Sequence, residues 1–157
     1  MSRAPARVEA ALLEAGVEVD VRTFPQGTRT AEDAAAAIGV EVGQIVKSLV
    51  FALSDPPPRH GVLALVSGSN RADERRLAQA FGSPVDRASA DDVRAWTGFA
   101  IGGVPPVGHA SPLQTVVDED LLRYAVVWAA AGTPTDVFAI TPDDLVRVTD
   151  GRVLPLG

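Results

Sequence analysis

"IVKSLVFALSDPPPRHGVLALVSG", residues 45–68, holds two apolar runs around a proline-rich break. Each run has strand length and is rich in Val, Leu and Ile or Phe, while Pro56, Pro57, Pro58 and Gly61 between them read as a loop. A loop this short joins antiparallel strands, because a parallel crossover needs a dozen or more residues. The first run also carries Lys47, which is the only lysine in the chain; every other basic side chain is Arg. On a strand, Ile45, Lys47 and Leu49 share one side, and Val46, Ser48 and Val50 the other. If both sides are buried, the amine is costly unless it is paired or neutral. Lys47 therefore opens onto water, meets a carboxylate, or lines a cleft that takes an anion. An edge-strand lysine that blocks aggregation, or a stem lying over apolar surface, fits the same pattern.

Working outward from the hairpin, the remaining elements are short and of mixed type. "ARVEAALLEAG" (6–16) has helical spacing at Val8, Leu12 and Leu13, with Gly16 as a stop. "VEVDVRTF" (17–24) alternates as a strand, with Val17, Val19 and Val21 on one side. "TAEDAAAAIG" (30–39) is a helix capped by Thr30 and ended by Gly39. "ADERRLAQAFG" (72–82) and "SADDVRAWTG" (89–98) are helices, the second capped by Ser89 with Asp92 three residues on. "QTVVD" (114–118), "YAVVWAA" (124–130) and "DVFAI" (136–140) read as strands. "TPDDLVRVT" (141–149) is a helix with Thr141 as cap and Pro142 in its first turn. Strands abut without intervening helices in several places, which favours a mixed, partly antiparallel sheet with peripheral helices.

The 157 residues suit one domain, 1–157, and 46% hydrophobic content is enough for a core. No apolar run reaches the roughly 20 residues of a membrane helix, and the start shows no apolar signal core, so the expectation is a soluble, cytoplasmic protein. There is no cysteine, which excludes disulfides and thiolate chemistry. The formal net charge of −6 argues against a general polyanion binder, so any nucleic-acid contact is local. "NRADERR" (70–76) offers one basic patch, Arg71, Arg75 and Arg76, and a solvated helix start explains the same residues.

Few motifs carry chemistry. "TGFAIGGVPPVGHASP" (97–112) sets Gly102, Gly103 and Gly108 around Pro105 and Pro106. Glycines let backbone N–H groups approach a ligand and prolines fix the path, so the loop is a candidate oxyanion cradle as well as an ordinary turn. "AAAGTPTD" (129–136) is a small-residue loop that walls a compact pocket or simply turns the chain. His60 and His109 lie in separate loops, with no metal-ligand spacing. "VSGSN" is not the nucleophile elbow, and no dinucleotide or P-loop pattern occurs. Chemistry that needs none of these is hydrolysis by a positioned water, with backbone dipoles stabilising the oxyanion.

"IVKSLVF", "LALVSGSNRADERRLAQAFG", "TGFAIGGVPPVGH", "VWAAAGTP" and "VFAIT" occur in that order. Together they resemble the YbaK/ProX family of aminoacyl-tRNA deacylases, relatives of the editing domain inserted in bacterial prolyl-tRNA synthetase. The resemblance runs from about Val8 to about Val153. It implies an α/β (mixed α+β) single domain with a barrel-like central sheet flanked by helices. The implied activity is hydrolysis of the ester joining a wrong, small amino acid to the tRNA 3′ end, with tRNA(Pro) as the expected carrier. Lys47 would position the terminal phosphate and Gly102 would offer a backbone N–H, giving the two catalytic positions. Substrate-binding positions would be Phe24, Ser48, Gly103, Val104, Pro105, Pro106, Gly108, His109, Gly132 and Thr133. The substrate's ribose hydroxyl would assist, with no cofactor and no metal. The implied partners are the aminoacyl-tRNA acceptor end and a prolyl-tRNA synthetase. A non-catalytic module binding a tRNA end or nucleotide is the alternative.

Overall fold

A computed structural model describes residues 3–28 and 30–157. The hairpin expected from residues 45–68 forms the centre of the fold. Strands β2 (Val46–Leu53) and β3 (His60–Ser67) pair antiparallel in unbroken register, from Val46 opposite Ser67 to Leu53 opposite His60. Around this pair lie β4 (Val85–Arg87), β5 (Gln114–Asp118) and β8 (Arg152–Leu154), giving a five-stranded sheet in the order β4-β2-β3-β5-β8. The β3–β5 and β5–β8 pairs are parallel and the others antiparallel, so the sheet is mixed as the sequence predicts. A second, antiparallel sheet has the order β1-β7-β6, with β1 at Val21–Thr23, β6 at Val127–Ala130 and β7 at Asp136–Ile140.

Both faces of the hairpin are covered, which explains its lack of polar alternation. On one side Val46, Val50, Leu63 and Leu65 join Val8, Leu12, Phe99, Val104 and Phe138 in the main core. On the other, Phe51, Leu53, Val62, Ala64 and Val66 pack with Leu77 of α3 (Glu74–Phe81) and with Leu156. Helices α1 (Ala4–Glu14), α2 (Ala31–Ile38), α4 (Ala90–Thr97) and α5 (Pro142–Thr149) complete the periphery. The Thr30, Ser89 and Thr141 side chains accept from the backbone N–H of Asp33, Asp92 and Asp144, as expected of helix caps.

Three expectations need correction. The barrel does not close: β2 and β6 touch at the isolated parallel bridge Ile45–Trp128, and no strand pairing continues beyond it among the described residues. The strand read at 17–24 shrinks to Val21–Thr23, because β7 offers partners only for those three residues and the Val17 N–H instead closes the end of α1 on Leu12. Leu13 is 60% exposed rather than part of the core. The short edge strands β4 and β8 carry no alternation long enough to read, and the sequence reading does not find them.

Candidate functional site

The unclosed seam between the sheets is the candidate site. Beyond the Ile45–Trp128 bridge, β2 and β6 leave a cavity of about 430 Å³ between them, lined by both edges and roofed by α2. The hydrogen-bond pattern of β2 shows which backbone groups face this gap. The Gly68 N–H donates to the Ile45 carbonyl at 2.7 Å, so Ile45 turns toward β3. The Ala88 N–H donates to the Val50 carbonyl at 3.3 Å, so Val50 turns away from β3. Antiparallel pairing alternates these directions, which aims the N–H and C=O of Ser48 into the seam. The Ser48 hydroxyl is buried with no hydrogen-bond partner among the described residues. Leaving a buried hydroxyl unpaired costs about 1–3 kcal/mol, a cost that a bound polar group would offset. Ser48 also opens onto a side chamber of about 80 Å³ shared with Leu49, Ile101 and Val104.

Lys47 stands at the same wall with its amine half-buried. Its Nζ donates to the backbone carbonyl of Asn70. Burial holds the amine below the ordinary lysine pKa, the nearby Glu32 and Asp118 carboxylates pull it back up, and Arg71 pushes it down. The amine is thus part-exposed, lines a cleft and feels the Glu32 and Asp118 carboxylates at a distance, with a backbone carbonyl as its hydrogen-bond partner.

Across the cavity is the glycine- and proline-rich loop. Gly102 is exposed at the rim with φ +92°, a conformation that favours glycine, and its N–H makes no hydrogen bond among the described residues. Gly103 donates its N–H to Ala100 at 3.1 Å, which closes a turn and removes that group from ligand duty. Gly103 also lies against the other loop: a Cβ there would meet the Thr133 backbone at 2.7 Å. Val104, Pro105, Pro106 and Val107 are buried beneath the rim. His109 Nε2 lies 2.7 Å from the Pro105 carbonyl, and since a carbonyl only accepts, this nitrogen carries the proton. Burial lowers the His109 pKa, so the ring is neutral and ties the loop together.

Lys47, Ser48, Gly102 and Val104 thus come together around one cavity. Phe24, Gly103, Pro105, Pro106, Gly108, His109, Gly132 and Thr133 do not line it. Phe24 donates its N–H to Thr135 at 2.8 Å, and Thr28 reaches Pro134 twice at 2.8 Å, so the segment before α2 is laced to the small-residue loop. Thr133 is bound to Asp136, and Gly132 packs on Ala4 and Phe99. These residues support the walls. The sequence reading missed the α2 contribution of Thr30, Ala31, Glu32 and Ala34, because an alanine-rich capped helix looks like any other. It also missed Trp128, whose ring lines the cavity with the Arg22 guanidinium 5.3 Å from its centroid, and exposed Ile101 at the rim. An aromatic residue at an unpaired sheet edge is the signal that would have found Trp128.

Residues 25–148 match the family model of the aminoacyl-tRNA editing domain. A solved structure described as a candidate trans-editing enzyme for prolyl tRNA synthetase superposes with a TM-score of 0.92 at 48% identity, over 99% of this chain and 98% of that one. The protein YwhH of Bacillus subtilis is 32% identical over 136 residues, 87% of this chain and 85% of its own. EbsC of Enterococcus faecalis, a candidate Cys-tRNA(Pro)/Cys-tRNA(Cys) deacylase, is 29% identical over 124 residues, 78% of this chain and 74% of its own.

Proposed function

We propose that this chain, which belongs to the aminoacyl-tRNA editing domain family, hydrolyses the ester between a misplaced small amino acid and the terminal ribose of tRNA(Pro), acting in trans. The observation that carries the reading is the seam cavity itself, with Lys47 on one wall and Gly102, whose N–H makes no hydrogen bond among the described residues, on the other. Neither histidine lines it, and the reading needs no protein nucleophile, because the attacking group is water.

Water then attacks the ester carbonyl carbon. The oxyanion that develops takes the Gly102 N–H, in the manner of a backbone oxyanion hole. The ribose oxygen leaves with a proton, and the substrate's neighbouring ribose hydroxyl assists that transfer. The Lys47 ammonium engages the phosphate of the terminal nucleotide and fixes the ester in the gap. The side chamber beside Ser48, at about 80 Å³, suits an acyl side chain of a few atoms. Recruitment by a prolyl-tRNA synthetase follows from the same reading, since an editing protein working in trans must meet the tRNA before the elongation machinery does.

The test is a deacylation panel. tRNA(Pro), tRNA(Ala) and tRNA(Thr) are charged with alanine, serine, cysteine or threonine, and ester loss is followed with the wild type and Lys47→Ala. Clearance of one or two small-residue pairs by the wild type alone supports the assignment and names the substrate. Decay of every pair at the uncatalysed rate overturns it in favour of a tRNA-end binding module.

A further inference from the structure

The Lys47 amine is held by a backbone carbonyl, and that carbonyl belongs to a residue which is itself clamped. Asn70 Nδ2 donates to Asp118 Oδ2 at 2.9 Å and to Asp120 Oδ2 at 2.7 Å. Asp118 is fully buried at the end of β5, where its carboxylate also accepts the Ser67 N–H at 3.1 Å and the Asp120 N–H at 3.1 Å. A buried carboxylate with three N–H partners is a fixed point in the fold. From the opposite side Gly157 abuts Asn70, so closely that a Cβ on Gly157 would lie 2.6 Å from its carboxamide. The Asp73 N–H donates to the Leu156 carbonyl at 2.8 Å, which fastens that segment to the start of α3. The Asn70 side chain is thus held by two carboxylates and packed against Gly157.

We propose that Asn70, clamped between Asp118 and Asp120, is a positioning residue that sets where the Lys47 amine stands at the mouth of the seam cavity. The inference rests on the editing reading for its catalytic consequence, but the clamp itself is independent of it. The charged groups facing the amine are Glu32 from α2, Asp118 from β5 and Arg71 from the loop before α3, with Asp120 acting only through Asn70.

The chain's only lysine makes the test direct. Protein labelled with 13C,15N-lysine gives one side-chain signal, whose shift and titration midpoint report the amine without any substrate. Asn70→Ala frees the carbonyl and lets the amine reach water, so the midpoint rises toward the ordinary lysine value. Asp120→Ala loosens the same clamp and moves it in the same direction, by less. Asp118→Asn removes a charge that favours the ammonium while burial stays, so the midpoint falls. For Asn70→Ala the deacylation kcat/KM falls about tenfold or more, as expected when a reacting group is misplaced by about 1 Å. If Asn70→Ala and Asp120→Ala both leave the lysine signal and its midpoint unchanged, the positioning role is wrong. If the signal shifts as stated but the wild type deacylates no charged tRNA, the clamp stands and the editing reading fails.

Discussion

Ile45 bridges Trp128 in parallel, and beyond that contact β2 and β6 part. Two strand edges that would pair in a closed barrel instead present backbone groups to a cavity. Closure would fill the gap with interstrand hydrogen bonds, and the divergence leaves those donors and acceptors for a ligand. The side chains that wall the gap are mostly small or aliphatic, so the polar residues lining it among the described residues are few: Lys47, Ser48, the two threonines before α2, and Glu32.

Lys47→Ala is expected to lower kcat/KM by about a hundredfold or more while moving Tm by only a few degrees, because the amine positions substrate and carries little core packing. Lys47→Arg restores only part of the activity, since a planar fork does not replace a point charge on a single carbonyl. The wild-type rate is expected to fall as pH rises through the lowered Lys47 pKa, because the ammonium loses its proton there. That alkaline limb lies below the ordinary lysine value of about 10.4 and is absent from Lys47→Ala. A pH–rate profile corrected for spontaneous ester hydrolysis checks both statements.

Gly103 and Gly102 separate packing from conformation. A Cβ on Gly103 would lie 2.7 Å from the Thr133 backbone, so Gly103→Ala must push the two loops apart. The expected cost is about 1–3 kcal/mol of stability together with a loss of turnover. Gly102→Ala meets nothing within 4 Å, but φ +92° strains any side chain there, and the free N–H turns away from the cavity as the loop relaxes. That variant is expected to lose activity more than stability. Thermal melts beside single-turnover deacylation separate the two.

The hairpin, the capped helices and the mixed sheet were legible in the sequence because each rests on local pattern: apolar runs, Ser or Thr caps, and glycine stops. Lys47 stood out for the same reason, as a charge in an apolar strand. The seam was not legible, since it depends on two strands some eighty residues apart failing to pair. Gly132, Thr133 and His109, which the family resemblance makes substrate contacts, do not line the seam cavity. A loop's composition marks it as built for close approach, but the approach turns out to be loop against loop, as Gly103 on Thr133 shows. The acidic run "VVDED" (116–120) reads in the sequence as a solvated turn, whereas Asp118 is fully buried, because its partners meet it only where the end of β5 meets the loop after β3.

Arg71 is expected to contribute to tRNA affinity without regard to the acyl group. It acts on Lys47 from the loop before α3, whereas Arg76 is paired with Asp73 at 3.5 Å. In a chain of net charge −6 such cations are few, so each one counts at the acceptor end. Arg71→Ala should weaken binding of every charged tRNA alike and reduce the slope of log K against log salt by about 0.7, the value for one single-strand phosphate. Filter binding across a salt series measures it, and a change in acyl preference instead would contradict the assignment.

Ser48 offers the sharpest separation of stability from function. Its residue borders both the main cavity and the small side chamber, and the buried hydroxyl has no hydrogen-bond partner among the described residues. Ser48→Ala removes an unpaired polar atom, so the folded protein is expected to hold or gain up to about 1 kcal/mol rather than lose it. If the hydroxyl serves the acyl group, turnover falls most for seryl and threonyl esters, which can share a hydrogen bond with it, and least for alanyl esters, which cannot. One such bond corresponds to roughly 1 kcal/mol, or about fivefold in relative kcat/KM. Parallel melts and competition assays with seryl- and alanyl-tRNA(Pro) decide the matter. Equal losses for both esters would assign the hydroxyl to the ester itself, and a drop in Tm would show that it is satisfied by water in the free protein.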